Sequence, residues 1–193
     1  MPRDRKNADN LPTLTVIAGP TAVGKGTVVR ELIQRYPSVY LSVSATTRPP
    51  RPGEIDGIHY HFVSEEEFSR RAAAGEFLEW ALVHGKYRYG TLRQPIEEAL
   101  ADHRPAILEI DLDGVRQVKN TMPDAQFIFV APPSWDELVA RLVGRGTEGP
   151  EERERRLRTA RTEMAAADEF DLIVVNDEVN RTVGELATLM RLT

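Results

Sequence analysis

Four short runs of continuous apolar residues recur along the chain: Leu14–Ala18 (LTVIA), 106–110 (AILEI), 125–131 (AQFIFVA) and Leu172–Val175 (LIVV). Unbroken apolar runs of this length belong to strands buried on both faces rather than to strands with one wet face. Residues 39–43 are a fifth candidate. Helical patterns lie between the runs. Residues 26–36 carry Val28, Val29, Leu32 and Ile33 at helical spacing. Ser134-Trp-Asp-Glu137 reads as a capping box opening a helix toward Arg145, and Ser64-Glu-Glu-Glu67 as another whose helix stops at Gly75. Strands alternating with helices predict βαβ units, right-handed crossovers and a parallel sheet.

Three stretches break the rhythm. Residues 1–12 are polar and read as a flexible tail. Residues 54–91 hold Tyr60, Phe62, Phe77, Trp80, Tyr87 and Tyr89 among turn residues, the pattern of a small mixed β insertion. Residues 144–161 (GRGTEGPEERERRLRTAR) are dense in charge of both signs, as in a solvated helix.

At 193 residues the chain is long enough for one domain with a real core. A net charge of -5 argues against a nucleic-acid-coating surface, so any anionic ligand must be held by local groups. With no cysteine, disulfides and thiolate metal sites are excluded. The N-terminus lacks the apolar core of a signal peptide, and no run reaches the length of a membrane span. A soluble, cytoplasmic protein is expected, with no membrane and no obligate protein partner.

The first apolar run leads into GPTAVGKGT, residues 19–27, and then into the amphipathic helix. The frame G-x-x-x-x-G-K is complete, with Gly19, Gly24 and Lys25 in register. Glycines let the backbone curl so that several N–H groups face one anion, and the helix presents its positive end there. Lys25 adds a mobile cation. A ligand-free glycine-rich turn is the bland alternative, and strand before and helix after weigh against it. The residue after Lys25 is Gly26 rather than a hydroxyl residue, and Thr27 follows, the GKGT arrangement that adenylate kinases also carry.

A second anion site is expected at SATTRPPRPGEIDGIHYHF, residues 44–62, where Arg48 and Arg51 stand on a loop stiffened by prolines. Two arginine forks match phosphate oxygens; an isolated pair of this spacing would more often face water. This pair is not isolated. Residues 46–63 resemble the guanylate kinase pattern T-T-R-x-x-R-x-x-E-x-x-G-x-x-Y-x-F at each defining position. The likeness runs from Leu14 to the C-terminal helix through residues 19–27, FLEW at 77–80, YGT at 89–91, LEID at 108–111, GRGT at 144–147 and VND at 175–177.

The resemblance implies an α/β fold: a P-loop three-layer sandwich with a parallel core sheet, a mixed-β GMP-binding insertion and a helical lid. The core would comprise 13–43, 92–143 and 162–193, the insertion 44–91 and the lid 144–161. It implies transfer of phosphate from ATP to GMP, and to dGMP, with Mg²⁺ as MgATP. ATP would be bound by Gly19, Ala22, Val23, Gly24, Lys25, Gly26 and Thr27, with Asn176 and Asp177 near the adenine. Arg48, Arg51, Tyr60 and Tyr89 would hold the GMP phosphate, with Tyr87 the alternative to Tyr89. Ser44, Glu79 and Thr91 would read guanine, and Asp111 would border the same site. Lys25, Arg48, Arg51, Arg145 and Arg156 would carry the catalysis, the last pair from the lid. Metal contact would fall to Asp111 and Thr27, through water; Glu109 stands where the family often has aspartate. Two other functions share parts of this pattern: a phosphopeptide-binding module of guanylate-kinase type, which tends to lose the phosphate loop, and a related kinase with another acceptor.

Overall fold

The computed structural model describes residues 14–83, 85–143 and 149–193. Its elements follow in the order β1 (Leu14–Ala18), α1 (Lys25–Arg35), β2 (Tyr40–Leu41), β3 (Ala45–Thr46), β4 (His61–Phe62), α2 (Glu65–Ala73), β5 (Phe77–Val83), β6 (Tyr87–Leu92), α3 (Arg93–Ala101), β7 (Ala106–Glu109), α4 (Leu112–Thr121), β8 (Gln126–Ala131), α5 (Trp135–Val143), α6 (Pro150–Ala165), β9 (Leu172–Val175) and α7 (Val179–Leu189). The predicted alternation is therefore present. No helix among the described residues is long and apolar enough to cross a membrane.

Five strands form one parallel sheet in the order β2-β7-β1-β8-β9. Alternation along β1 divides the core. Leu14, Val16 and Ala18 join Ile96, Leu108, Val115, Val118 and Phe127 on the face covered by α3 and α4. Ile17 turns to the other face, with Val28, Val29, Leu32, Leu138 and Leu186 from α1, α5 and α7. Helices on both faces explain why the strands read as unbroken apolar runs. The expected strand at 39–43 shrinks to two residues because β2 lies at the sheet edge, paired only with β7.

A second sheet is mixed, in the order β4-β3-β6-β5, with β3 parallel to β4 and antiparallel to β6. Phe68 of α2 stacks on Phe77 beneath it, ring centroids 4.4 Å apart. Free edge β5 is covered by α4: the Gln117 amide accepts from the Trp80 N–H at 3.1 Å and donates to the Trp80 carbonyl at 3.0 Å.

Both predicted N-caps form. The Ser64 hydroxyl accepts from the Glu67 N–H at 3.1 Å and Ser134 from Glu137 at 3.2 Å. The reverse arm of each box goes elsewhere: Glu67 binds Arg70 and Arg71, which hold its pKa down to about 2, and Glu137 binds Arg141. Helix α2 ends before Gly75, and α5 ends at Val143. Residues 1–12 and Arg145 lie outside the described residues, and α6 opens at Pro150 behind Gly149.

Candidate active site

Because the core strands are parallel, their carboxyl ends gather the connections that follow β1, β7 and β9 on one edge, where open α/β sheets bind ligands. The loop after β1 curls around the Lys25 side chain, whose Nζ donates to the carbonyls of Gly19 at 2.6 Å and Pro20 at 3.2 Å. Two side chains brace this loop from outside. Asn176, buried beyond β9, donates to the Val23 carbonyl at 2.8 Å while accepting from the Thr182 hydroxyl at 3.2 Å. Arg141 of α5 donates to the same carbonyl at 3.1 Å. Gly24 caps α1 with φ +99, and a Cβ there would fall 2.7 Å from Asn176 Nδ2, so the position requires glycine. Burial lowers the Lys25 pKa, while Glu109, Glu163 and Asp111 pull it back up. The lysine thus sits among three carboxylates.

Across the edge lies a cleft of about 330 Å³. The β5–β6 hairpin forms one wall with Glu79 and Tyr89, and Glu109 to Asp111 form the other. A register shift between Phe77 and Glu79 turns Glu79 into this space, opposite Thr91. The kink presses β5 so close to β6 that a Cβ on Gly90 would lie 2.7 Å from the Trp80 Cβ, which explains glycine between Tyr89 and Thr91. Glu79 is only 7% exposed and accepts the buried Thr91 hydroxyl at 2.7 Å. Burial first, then the charge of Asp111, outweigh that bond and push its pKa up to about 7. Asp111 caps α4 by accepting the Gly114 N–H at 2.8 Å.

Above the cleft the proline-rich loop holds Arg48 as part of the structure. Its Nε donates to the Tyr89 hydroxyl at 3.0 Å, Nη1 to the Pro49 carbonyl and Nη2 to Glu54, both at 2.8 Å. The guanidinium lies 5.4 Å from the Tyr60 ring centroid. Glu54 also accepts the Arg51 N–H at 2.7 Å, so one carboxylate fixes both the buried arginine and the turn bearing the exposed one. Thr46 and Thr47 tie the loop to β6: the Thr46 hydroxyl donates to the Arg88 carbonyl, and Thr47 accepts the Arg88 N–H, both at 3.0 Å.

A family model described as guanylate kinase matches residues 12–193. The chain belongs to the guanylate kinase family. It is 56% identical over 180 residues to a guanylate kinase of Cutibacterium acnes, spanning 93% of this chain and 90% of that one. A guanylate kinase of Thermobifida fusca is 57% identical over 182 residues, spanning 94% and 92%. Among solved structures, a guanylate kinase from Anaplasma phagocytophilum superposes with a TM-score of 0.74 at 29% identity, over 95% of this chain and 87% of that one.

Ser44, Tyr60, Glu79, Tyr89 and Asp111, which family resemblance assigns to the acceptor, line one cleft, with Thr91 and Arg48 hydrogen-bonded directly behind it. Arg51 is exposed outside that lining. Tyr87 pairs with Val83 at the far end of the hairpin, under the Lys86 ammonium, and is not among the residues that line the cleft, whereas Tyr89 is. Thr27 is exposed on α1 and Ala22 adopts a left-handed φ of 68. Asp177 pairs with Arg181 at 2.7 Å. Arg156 lies half-buried on α6. Sequence reasoning passed over four residues that shape the site: Glu54, Gln117, Arg141 and Glu163. Glu54 was available as the fixed acidic position after the arginine pair; the other three act across distances of 37 residues or more.

Among the described residues no three His, Asp or Glu side chains converge as a metal-ligand set. Kinase sites hold Mg²⁺ with one or two carboxylates plus substrate phosphates and water, and the carboxylates of Glu109 and Asp111 beside the phosphate loop fit that arrangement. A Cβ on Gly26 would lie 3.7 Å from both Glu109 oxygens. Glu109 therefore faces the position where other phosphate loops carry a hydroxyl.

Proposed function

We propose that the enzyme transfers the γ-phosphoryl group of ATP to GMP, and to dGMP, which carries the same base and phosphate. A phosphate oxygen of GMP attacks the γ-phosphorus, the bond to the ADP oxygen breaks, and GDP and ADP leave. The nucleophile is already an anion, so no general base is needed; positioning and charge neutralisation carry the rate.

The observation that carries the acceptor assignment is Glu79, buried beside Thr91 in a cleft next to the phosphate loop. An ionised carboxylate only accepts hydrogen bonds. Guanine offers two donors on its N1 and N2 edge; adenine offers none there. A bound AMP would leave Glu79 buried and unpaired, a mismatch that sites built to bond a polar group reject strongly. Ser44 reads O6, and Thr91, whose one hydroxyl proton goes to Glu79, holds that carboxylate toward the base instead of donating to O6. Tyr60, Tyr89, Arg48 and Arg51 take the GMP phosphate. Arg48 keeps two of its five N–H groups beyond those given to Tyr89, Pro49 and Glu54.

On the donor side, Lys25 and the N–H groups of residues 22–27 receive the ATP phosphates. Asn176 acts through Val23, holding the loop open, with Asp177 beside the adenine. Asp111 and Thr27, with Glu109 beside them, would hold Mg²⁺ through water, and the ion would supply charge neutralisation to the donor phosphates. Arg156 and Arg145 approach the transferring group, which their charge stabilises as it moves. The substrates and reaction fit an enzyme of purine nucleotide metabolism in the cytoplasm.

An acceptor panel tests the assignment. Purified enzyme with MgATP and GMP, dGMP, AMP, UMP or ribose bisphosphate should release ADP rapidly with the two guanine nucleotides. Equal turnover of AMP would remove the role given to Glu79.

A further inference from the structure

The peptide group joining Pro20 to Thr21 is gripped at both ends. Its carbonyl accepts from Lys25 Nζ at 3.2 Å, and its N–H donates to Glu163 Oε2 at 2.9 Å. The cation thus meets the negative end of the peptide dipole and the carboxylate its positive end, so each bond polarises the group in favour of the other. Glu163 comes from α6, 142 residues away. It stands in the last turn of that helix, where the macrodipole disfavours a carboxylate. It is half-buried as well, and burial raises its pKa against the Thr21 N–H and Lys25, which lower it. Neither the macrodipole nor solvation favours a charged carboxylate there; the contact with the loop does.

Arg156 sits seven residues earlier on α6, two turns along the same face and about 10 Å along the axis. Between them Ala160 is fully buried in the core cluster of α1 and α5, and Arg161 lies 5.4 Å from the Trp135 ring of α5. The C-terminal half of the helix is therefore docked, and the Glu163–Thr21 bond ties it directly to the phosphate-loop backbone.

We propose that Glu163 is a positioning residue for phosphoryl transfer. It fixes the Pro20–Thr21 peptide, and through it the resting place of Lys25, and it sets the register in which α6 presents Arg156 to that loop. Lys25 can leave the carbonyls for a phosphate while Glu163 keeps the peptide from rotating into the vacated space. The proposal rests on residues 19–27 being the donor cradle.

The test compares Glu163→Ala and Glu163→Gln with wild type by kcat, KM for GMP, ADP affinity by calorimetry, and melting. Glutamine retains an oxygen that accepts the Thr21 N–H. The alanine variant should lose tenfold or more in kcat, with KM for GMP and Kd for ADP within threefold of wild type. The glutamine variant should recover most of that loss. A kcat within threefold of wild type in Glu163→Ala overturns the proposal. So does a glutamine variant as slow as the alanine variant, or a loss of kcat that tracks a fall in melting temperature and a rise in KM for GMP. Wild-type enzyme that fails to bind ADP would instead sink the donor-cradle assignment beneath it.

Discussion

A carboxylate that reads two base donors works only when ionised, and Glu79 is buried where ionisation is costly. Its pKa of about 7 makes GMP recognition pH-dependent. Below pH 7 the free enzyme holds Glu79 protonated, so KM for GMP should climb as pH falls from 8 to 6. The GMP phosphate also titrates near pH 6, so the Glu79 share is the difference between wild type and Glu79→Gln. That variant should lose about 10²-fold in kcat/KM for GMP, lose most discrimination against AMP and show a flatter pH profile; superimposable profiles would contradict the assignment. Stability runs the other way. The folded carboxyl binds its proton more tightly than the unfolded one, so this group penalises folding increasingly from pH 4.5 up through 7. The cost at pH 8 is up to ~3 kcal/mol. Glu79→Gln should therefore melt several degrees higher at pH 8 and nearly unchanged at pH 4.5, the trade expected of a strained functional group. Ala22 is a smaller case. Its left-handed φ of 68 costs an alanine roughly 1 kcal/mol, partly offset by the chain entropy that glycine would add. Ala22→Gly should raise stability by about 0.5 kcal/mol, read from urea midpoints, and a lower midpoint would show the loop is unstrained.

Among the elements, α4 does what a neighbouring strand would do. Gln117 satisfies both backbone groups of Trp80 on the free edge of β5, and the Thr121 hydroxyl donates to the Leu78 carbonyl at 3.2 Å. An open edge with an exposed Trp80 and Leu82 invites pairing with other chains. Gln117→Ala should cost about 1–2 kcal/mol, since two backbone groups fall back on water. Because Glu79 is the next residue, KM for GMP should rise severalfold while KM for ATP holds; an equal rise in both would mean the clamp supports the whole molecule rather than the acceptor wall. None of this was visible in the sequence. Ser64 and Ser134 announced their helices because a cap is a bond over three residues, and the buried strands announced themselves by composition. The bulge that turns Glu79 inward, the Gln117 clamp and the Glu163 contact depend on partners brought together by the fold, with no local spacing to betray them. Glu79 itself was named only through family resemblance; as an isolated glutamate on a strand it reads as surface.

The molecule as a whole carries a net charge of -5, so its overall field repels both nucleotides and each must be held by a local cradle. Lys25 and its loop sit on the core sheet's edge, while Arg48 and Arg51 sit on a loop anchored to the second sheet. If the cradles are separate, they must fail separately. Ligand present at a hundredfold over its Kd stabilises the folded state by ~2.7 kcal/mol, or about 5–10 °C for a chain of this size. Wild type should show that shift with GMP alone and with ADP alone. Lys25→Met should lose nearly all turnover and most of the ADP shift yet keep the GMP shift, because the Lys25 hydrogen bonds go to the loop carbonyls after β1 and not to the residues given the GMP base and phosphate. Arg51→Ala should do the converse: its exposed side chain can be removed without touching the Glu54 bonds that hold Arg48 and the turn. The crossed pattern is the decisive outcome. A single variant that erased both shifts, while melting like wild type without ligand, would show one shared anion site and would end the two-cradle account.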